Sequence, residues 1–164
     1  VTAQNGATNI YTIHIAKEAV AVNPYISSSL AIQGVGISGV GPGSTAAQVI
    51  SVISVADGYS LQYLCADGTV KDGAAISVTG DLVQVINASG EVVYTGIIVV
   101  RGDLNGDGKI SSSDLTMIAR YITLQGSLSQ AALLSGDVNK DGKISSADLT
   151  YMARHITKQT TIQP

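Results

Sequence analysis

Two segments of the chain, GDLNGDGKISSSDLTMIARYIT (102–123) and GDVNKDGKISSADLTYMARHIT (136–157), align at an offset of 34 residues with 16 of 22 positions identical. Such a repeat constrains the fold strongly, because whatever unit one copy forms the other must form too. Charge follows the repeat. Residues 1–100 carry two lysines against six carboxylates, −4, and residues 101–164 carry seven cations against six aspartates, +1. All six of those aspartates fall inside the two copies. No basic stripe is present of the kind that neutralises a phosphate backbone, so nucleic acid is a poor partner.

Counted from Asp103, the first copy places Asp103, Asn105, Asp107, Lys109, Ser111 and Asp114 at positions 1, 3, 5, 7, 9 and 12, with Gly108 at position 6. The second places Asp137, Asn139, Asp141, Lys143, Ser145 and Asp148 in the same register, with Gly142 at position 6. This is the spacing of an EF-hand calcium loop. Calcium takes ~6–8 hard oxygens at ~2.3–2.6 Å, so a short loop must wrap around one point. The glycines permit the positive φ of the sharp turn. Lys109 and Lys143 would offer backbone carbonyls, and Ser111 and Ser145 an oxygen directly or through a water. Ile110 and Ile144, at position 8, would act as apolar pins between paired loops. Two Ca²⁺ ions are therefore expected, with three aspartates per loop that repel one another without them. Position 12 is Asp in both copies where the general pattern has Glu, which brings the helix start nearer the ion. Upstream of the first loop lies β-like sequence rather than a helix, so each unit is a loop followed by one helix.

Those helices open near Ser112 and near the matching Ser146. Leu115, Ile118 and Ile122 share one face of the first, and Leu149, Met152 and Ile156 one face of the second. Thr116, Arg120 and Thr123, with Thr150, Arg154 and Thr157, fall on the opposite, solvent-facing side. A further short helix capped by Ser129 is expected between the copies. The two helices are expected to pack antiparallel about a pseudo-twofold axis.

Residues 1–100 read mostly as β. Strands are expected at Thr8–Lys17 and within SLAIQGVGISGV, YSLQYLC, DLVQVIN and EVVYTGIIVV, with NASGE and ADGTVKDG as turns. One helix capped by Ser44 or Thr45 is expected to run to about Ile53. The fold class is multidomain: a β-sandwich-like domain with one short helix (1–100) abutting a small all-α domain (101–164).

Tandem loop-helix units with Asp at position 12 and this spacing resemble a dockerin, the module that plugs into cohesin domains of cellulosome-type assemblies; the likeness covers about Arg101 to Lys158. The region before it is similar to the X modules that precede many dockerins. The resemblance implies an extracellular or cell-surface protein of an anaerobic bacterium that folds on calcium and binds a cohesin through its exposed helix faces. Family recognition positions fall here on Ser112, Ser113, Ala119, Arg120 and Leu124, and on Ser146, Ala147, Ala153, Arg154 and Lys158. Near-identical faces would let the module dock in either of two orientations. The X-module-like domain would then stabilise the dockerin and add cohesin contacts.

Other functions have less to stand on. Two histidines, His14 and His155, sit in no motif for a triad, and the only glutamates, Glu18 and Glu91, border β segments, so no enzyme is expected. A calcium sensor would need paired helices opening on an apolar groove, against which stand missing first helices and two methionines. A carbohydrate-binding module is the alternative for the β part, resting on Tyr11, Tyr25, Tyr59, Tyr63 and Tyr94 in the absence of Trp. No apolar run is long enough to span a bilayer, and no signal peptide is legible at Val1. Cys65 reads as core filler, Arg101–Asp103 spells an RGD tripeptide whose Asp is committed to calcium, and Asn87 opens a glycosylation sequon.

Overall fold

The computed structural model describes residues 23–164. The strand expected at Thr8–Lys17, with Tyr11 and His14, lies outside them.

Seven strands precede three longer-range helical elements. β1 (Ile26–Ser28), β2 (Ala31–Gln33) and β3 (Gly36–Val40) lead into α1 (Ala46–Ile50), followed by β4 (Ile53–Val55), β5 (Ser60–Leu64), β6 (Leu82–Ile86) and β7 (Val92–Val100). Five strands form one mixed sheet in the order β2-β3-β7-β6-β5, and β1 and β4 form a separate antiparallel ribbon. β7 is central, antiparallel to β6 and parallel to β3. Alternation along β6 buries Val83 and Val85, and the long β7 buries Ile98, Val99 and Val100. Ile26 of β1, Ile53 of β4, and Ala46 and Val49 of α1 join Val83, Val85, Ile98 and Val100 with Ile37, Val40 and Tyr63 in one apolar cluster. The mainly β character and the single helix are as expected.

The helix is shorter than expected. Thr45 caps it, its hydroxyl accepting from the Gln48 amide while the Gln48 side chain accepts from the Thr45 amide. It ends at Ile50, because the β-branched run beyond it pairs with β1, Ser28 opposite Ile53. That ribbon was not foreseen: three-residue strands carry too little periodicity to be read.

Beyond Val100 the elements are α2 (Ser112–Ile122), α3 (Gln130–Gly136) and α4 (Ser146–Ile156). A second apolar cluster is built from Leu104, Ile118, Ala132, Val138, Met152 and Ile162, with Leu115 and Leu149 packed against it. The two clusters share no residue, one drawing on 25–100 and the other on 104–162. α2 packs on α4, and α3 lies on β7. No helix among the described residues is long and apolar enough to cross a membrane.

Candidate functional site

Each repeat folds as a tight loop whose side-chain oxygens turn inward onto its own backbone. In the first, Asp103 Oδ1 accepts from the amides of Gly106 (2.9 Å) and Asp107 (3.1 Å), and Oδ2 from Gly108 (3.2 Å). Asn105 Oδ1 accepts from Asp107, and Asp107 Oδ1 from Lys109. The second repeats the scheme: Asp137 accepts from Asp141 and Gly142, Asn139 from Asp141, and Asp141 from Lys143. Gly108 and Gly142 hold φ of 80° and 88°, the left-handed conformation that the turn requires and a side chain resists. Lys109 and Lys143 are exposed. Ile110 and Ile144 pack on the second core, and each lies against the glycine just before its own loop, Gly102 and Gly136.

The position-12 aspartates close the loops. Asp114 Oδ1 accepts from the amides of Leu104 (2.8 Å) and Asn105 (3.1 Å), and Oδ2 from Ser111 (2.9 Å). Asp148 bonds to Val138, Asn139 and Ser145 in the same way. Each thus joins the beginning of its loop to the end. It also sits at the third residue of its helix, completing a capping box with Ser111 or Ser145. The two serines, expected to supply oxygen to an ion, use the hydroxyl as helix caps.

Charge tests whether a cation fits. Asp103, Asp114 and Asp148 each have 0 % of their surface exposed. Among the described residues the one salt bridge is Lys71–Asp81, so none of these three has a basic partner. Burial pushes the Asp103 carboxyl above its ordinary range, against the downward pull of its amide donors. Buried carboxylates are found paired or bound to metal, and the same loops carry further side-chain oxygens on Asn105, Asp107, Asn139 and Asp141, the donor type calcium takes. No three His, Cys, Asp or Glu side chains among the described residues gather closely enough to hold an ion by themselves. Asn105, Asn139 and backbone oxygens must therefore complete any shell. With that completion, the residues fit a divalent cation.

The residues expected to meet a partner lie at the surface. Ser112, Ser113, Thr116 and Arg120 on α2, and Ser146, Ala147, Thr150 and Arg154 on α4, are exposed; Ala119 and Ala153 are half-buried. The faces match in bonding as well, Thr116 and Thr150 each donating to the carbonyl four residues back. Leu124 and Lys158 occupy equivalent left-handed positions just past the helices, with φ of 58° and 59°. Leu124 is 92 % exposed.

Sequence reasoning missed one contact with the first loop. The Thr79 amide, from the β region, donates to Asp103 Oδ2 at 3.1 Å. Nothing in the residues around Thr79 signals this role. A clue did exist in the repeat, where Gly106 faces Lys140 at position 4.

Minor readings resolve simply. Arg101 is half-buried with its guanidinium donating to the Asp137 carbonyl, and Gly102 and Asp103 are buried, so the RGD tripeptide is not presented. His155 is structural, its Nδ1 accepting from the Ile162 amide. Cys65 is only half-buried, at the turn after β5, rather than core filler. Tyr25 and Tyr59 pack on each other with ring centres 5.4 Å apart and lean on the core with Tyr94, while Tyr63 is buried. These four form no flat exposed platform.

Paired loop-helix units close one apolar core, with a buried carboxylate at the start of each helix. Residues 101–157 match the family model of the dockerin type I domain, and that part of the chain is a dockerin domain. Domains of this type bind calcium. A search of the curated proteins found no match. Among solved structures, one similar chain comes from the complex of the third cohesin of ScaC with the ScaB dockerin of Acetivibrio cellulolyticus, mutated in its N-terminal helix and showing a type I interaction. It is 22 % identical over 40 % of this chain and 93 % of the other, with a TM-score of 0.38.

Proposed function

We propose that the chain is a two-domain, calcium-dependent docking unit: residues 101–164 bind a cohesin, and residues 1–100 form an X-module-like domain that braces them. The supporting observation is the set of three fully buried, unpaired carboxylates at the ends of two capped loops within a dockerin type I match. Two Ca²⁺ would be held by Asp103, Asn105, Asp107, the Lys109 carbonyl and Asp114, and by the corresponding Asp137, Asn139, Asp141, Lys143 and Asp148. Ser111 and Ser145, whose hydroxyls also cap the helices, would contribute directly or through a water. Bound, each ion supplies positive charge where the loop has gathered negative.

Two such ions would take residues 101–164 from +1 to +5, which favours an acidic partner surface. Arg120 and Arg154, exposed on twin helices, supply planar donors for its carboxylates. Because Ser112, Thr116, Ala119 and Arg120 on α2 recur as Ser146, Thr150, Ala153 and Arg154 on α4, with only Ser113 and Leu124 replaced by Ala147 and Lys158, the cohesin docks in two orientations. The unit would work outside the cell, in a secreted or surface complex that degrades polysaccharide, and contributes no catalysis of its own.

The test is capture of the full chain on a panel of immobilised cohesins, in calcium and in chelator. Binding to at least one cohesin in calcium, lost in chelator, is expected. Binding that ignores chelator would refute calcium dependence, and no binding to any cohesin would refute the docking role.

A further inference from the structure

The two loops differ at position 4, Gly106 against Lys140, although both backbones are left-handed there, φ 72° and 64°. Lys140 shows that the loop itself accepts a side chain at this place. At Gly106 a Cβ would stand 2.6 Å from the Thr79 carbonyl oxygen, closer than real side chains come to backbone. At Gly108 a Cβ would meet Val78 at 3.1 Å, whereas Gly142 has nothing within 4 Å. One loop is covered by the Val78–Thr79 segment and the other is open.

Thr79 is itself fixed. Its hydroxyl donates to the Val100 carbonyl (2.9 Å) and accepts from the Val100 amide (3.0 Å). Its amide is thereby aimed at Asp103 Oδ2, which raises the backbone donors on that carboxylate to four: Gly106, Asp107, Gly108 and Thr79. Asp137 has two, Asp141 and Gly142. A ligand already oriented loses less freedom when an ion binds.

We propose that Thr79 is a positioning residue for the first calcium loop and that Gly106 is what admits it. The β region then strengthens ion binding in loop one and leaves loop two to itself. By reciprocity, an ion in loop one tightens the seat of the β region. This inference rests on the calcium reading above.

Amide resonances of Gly108 and Gly142 report each loop separately in a calcium titration of the isotope-labelled full chain. Gly106→Lys is expected to raise the half-saturation of loop one about tenfold or more, with loop two moving less than about twofold. Lys140→Gly should leave loop one unchanged. Thr79→Val, which loses the hydroxyl clamp, should weaken loop one alone, and Thr79→Ser should restore it. Equal weakening of both loops in Gly106→Lys and Thr79→Val, or no change in either, overturns the proposal. If neither glycine responds to calcium in the unmodified chain, the metal reading falls first and the coupling falls with it.

Discussion

Replacing Asp148 separates the two jobs its carboxylate does. Its oxygens accept from the amides of Val138, Asn139 and Ser145 at 2.9–3.3 Å. Asp148→Ala strands these three amides, at about 1–3 kcal/mol for each one left buried and unpaired. Only the Val138 amide is fully buried, the other two being part-buried, so the cost is at least roughly 1 kcal/mol, against a total stability of ~5–15 kcal/mol for a domain. Asp148→Asn keeps one oxygen for Val138 and Asn139 but turns an amide group toward the Ser145 N–H, so about one hydrogen bond is lost, ~1–3 kcal/mol. At ~4–8 °C per kcal/mol in a domain of this size, the Asn variant should melt at least about 4 °C lower. Far-UV circular dichroism follows this, since α2, α3 and α4 carry most of the helix. In calcium a second loss is expected. An ion at 100 times its Kd adds about 2.7 kcal/mol to the folded state, and the variant retains only the contribution of loop one. Asp148→Asn should therefore gain about half the calcium-induced rise of the unmodified chain. An unchanged melting temperature in chelator would refute the hydrogen-bond argument. A full calcium-induced rise would refute Asp148 as a ligand.

Three further outcomes follow from other parts of the molecule. Lys71 and Asp81 form a buried pair at 2.6 Å, 8 % and 1 % exposed, so Lys71→Met leaves a buried carboxylate without its counter-charge and should cost about 3–5 kcal/mol in urea unfolding of the β region. Leu124→Gly should raise the melting temperature of the helical part, because glycine relieves roughly 1 kcal/mol of left-handed strain, while cohesin affinity stays within about twofold because the second face remains intact. Arg120→Ala or Arg154→Ala alone should leave cohesin affinity within about twofold in calorimetry, and the double variant should abolish binding; a single variant that abolishes it refutes two-way docking.

The loops were legible because their chemistry is local. An ion-wrapping turn needs particular residues at fixed short spacing, and the capping boxes at Ser111 and Ser145 fall inside the same windows. β5, β6 and β7 were visible for a similar reason, as runs rich in branched and aromatic residues. The β1–β4 ribbon was not, since Ile26 meets Val55 across 29 residues and neither strand is long enough to alternate. The parallel pairing of β3 with β7 depends on the whole chain's path. Thr79 escaped because its message is carried by a backbone amide, which every residue but proline possesses. Only the missing side chain at Gly106 left a mark.

β7 passes into the first loop without a linker, and it is the middle strand of its sheet, held by β3 on one edge and β6 on the other. A pull on the helical part therefore enters the sheet along the length of its best-anchored strand. Drawing that strand out lengthwise means shearing two hydrogen-bond ladders together, not peeling one open a rung at a time. The join is built as a tensile anchor, with the load carried into the centre of the sheet.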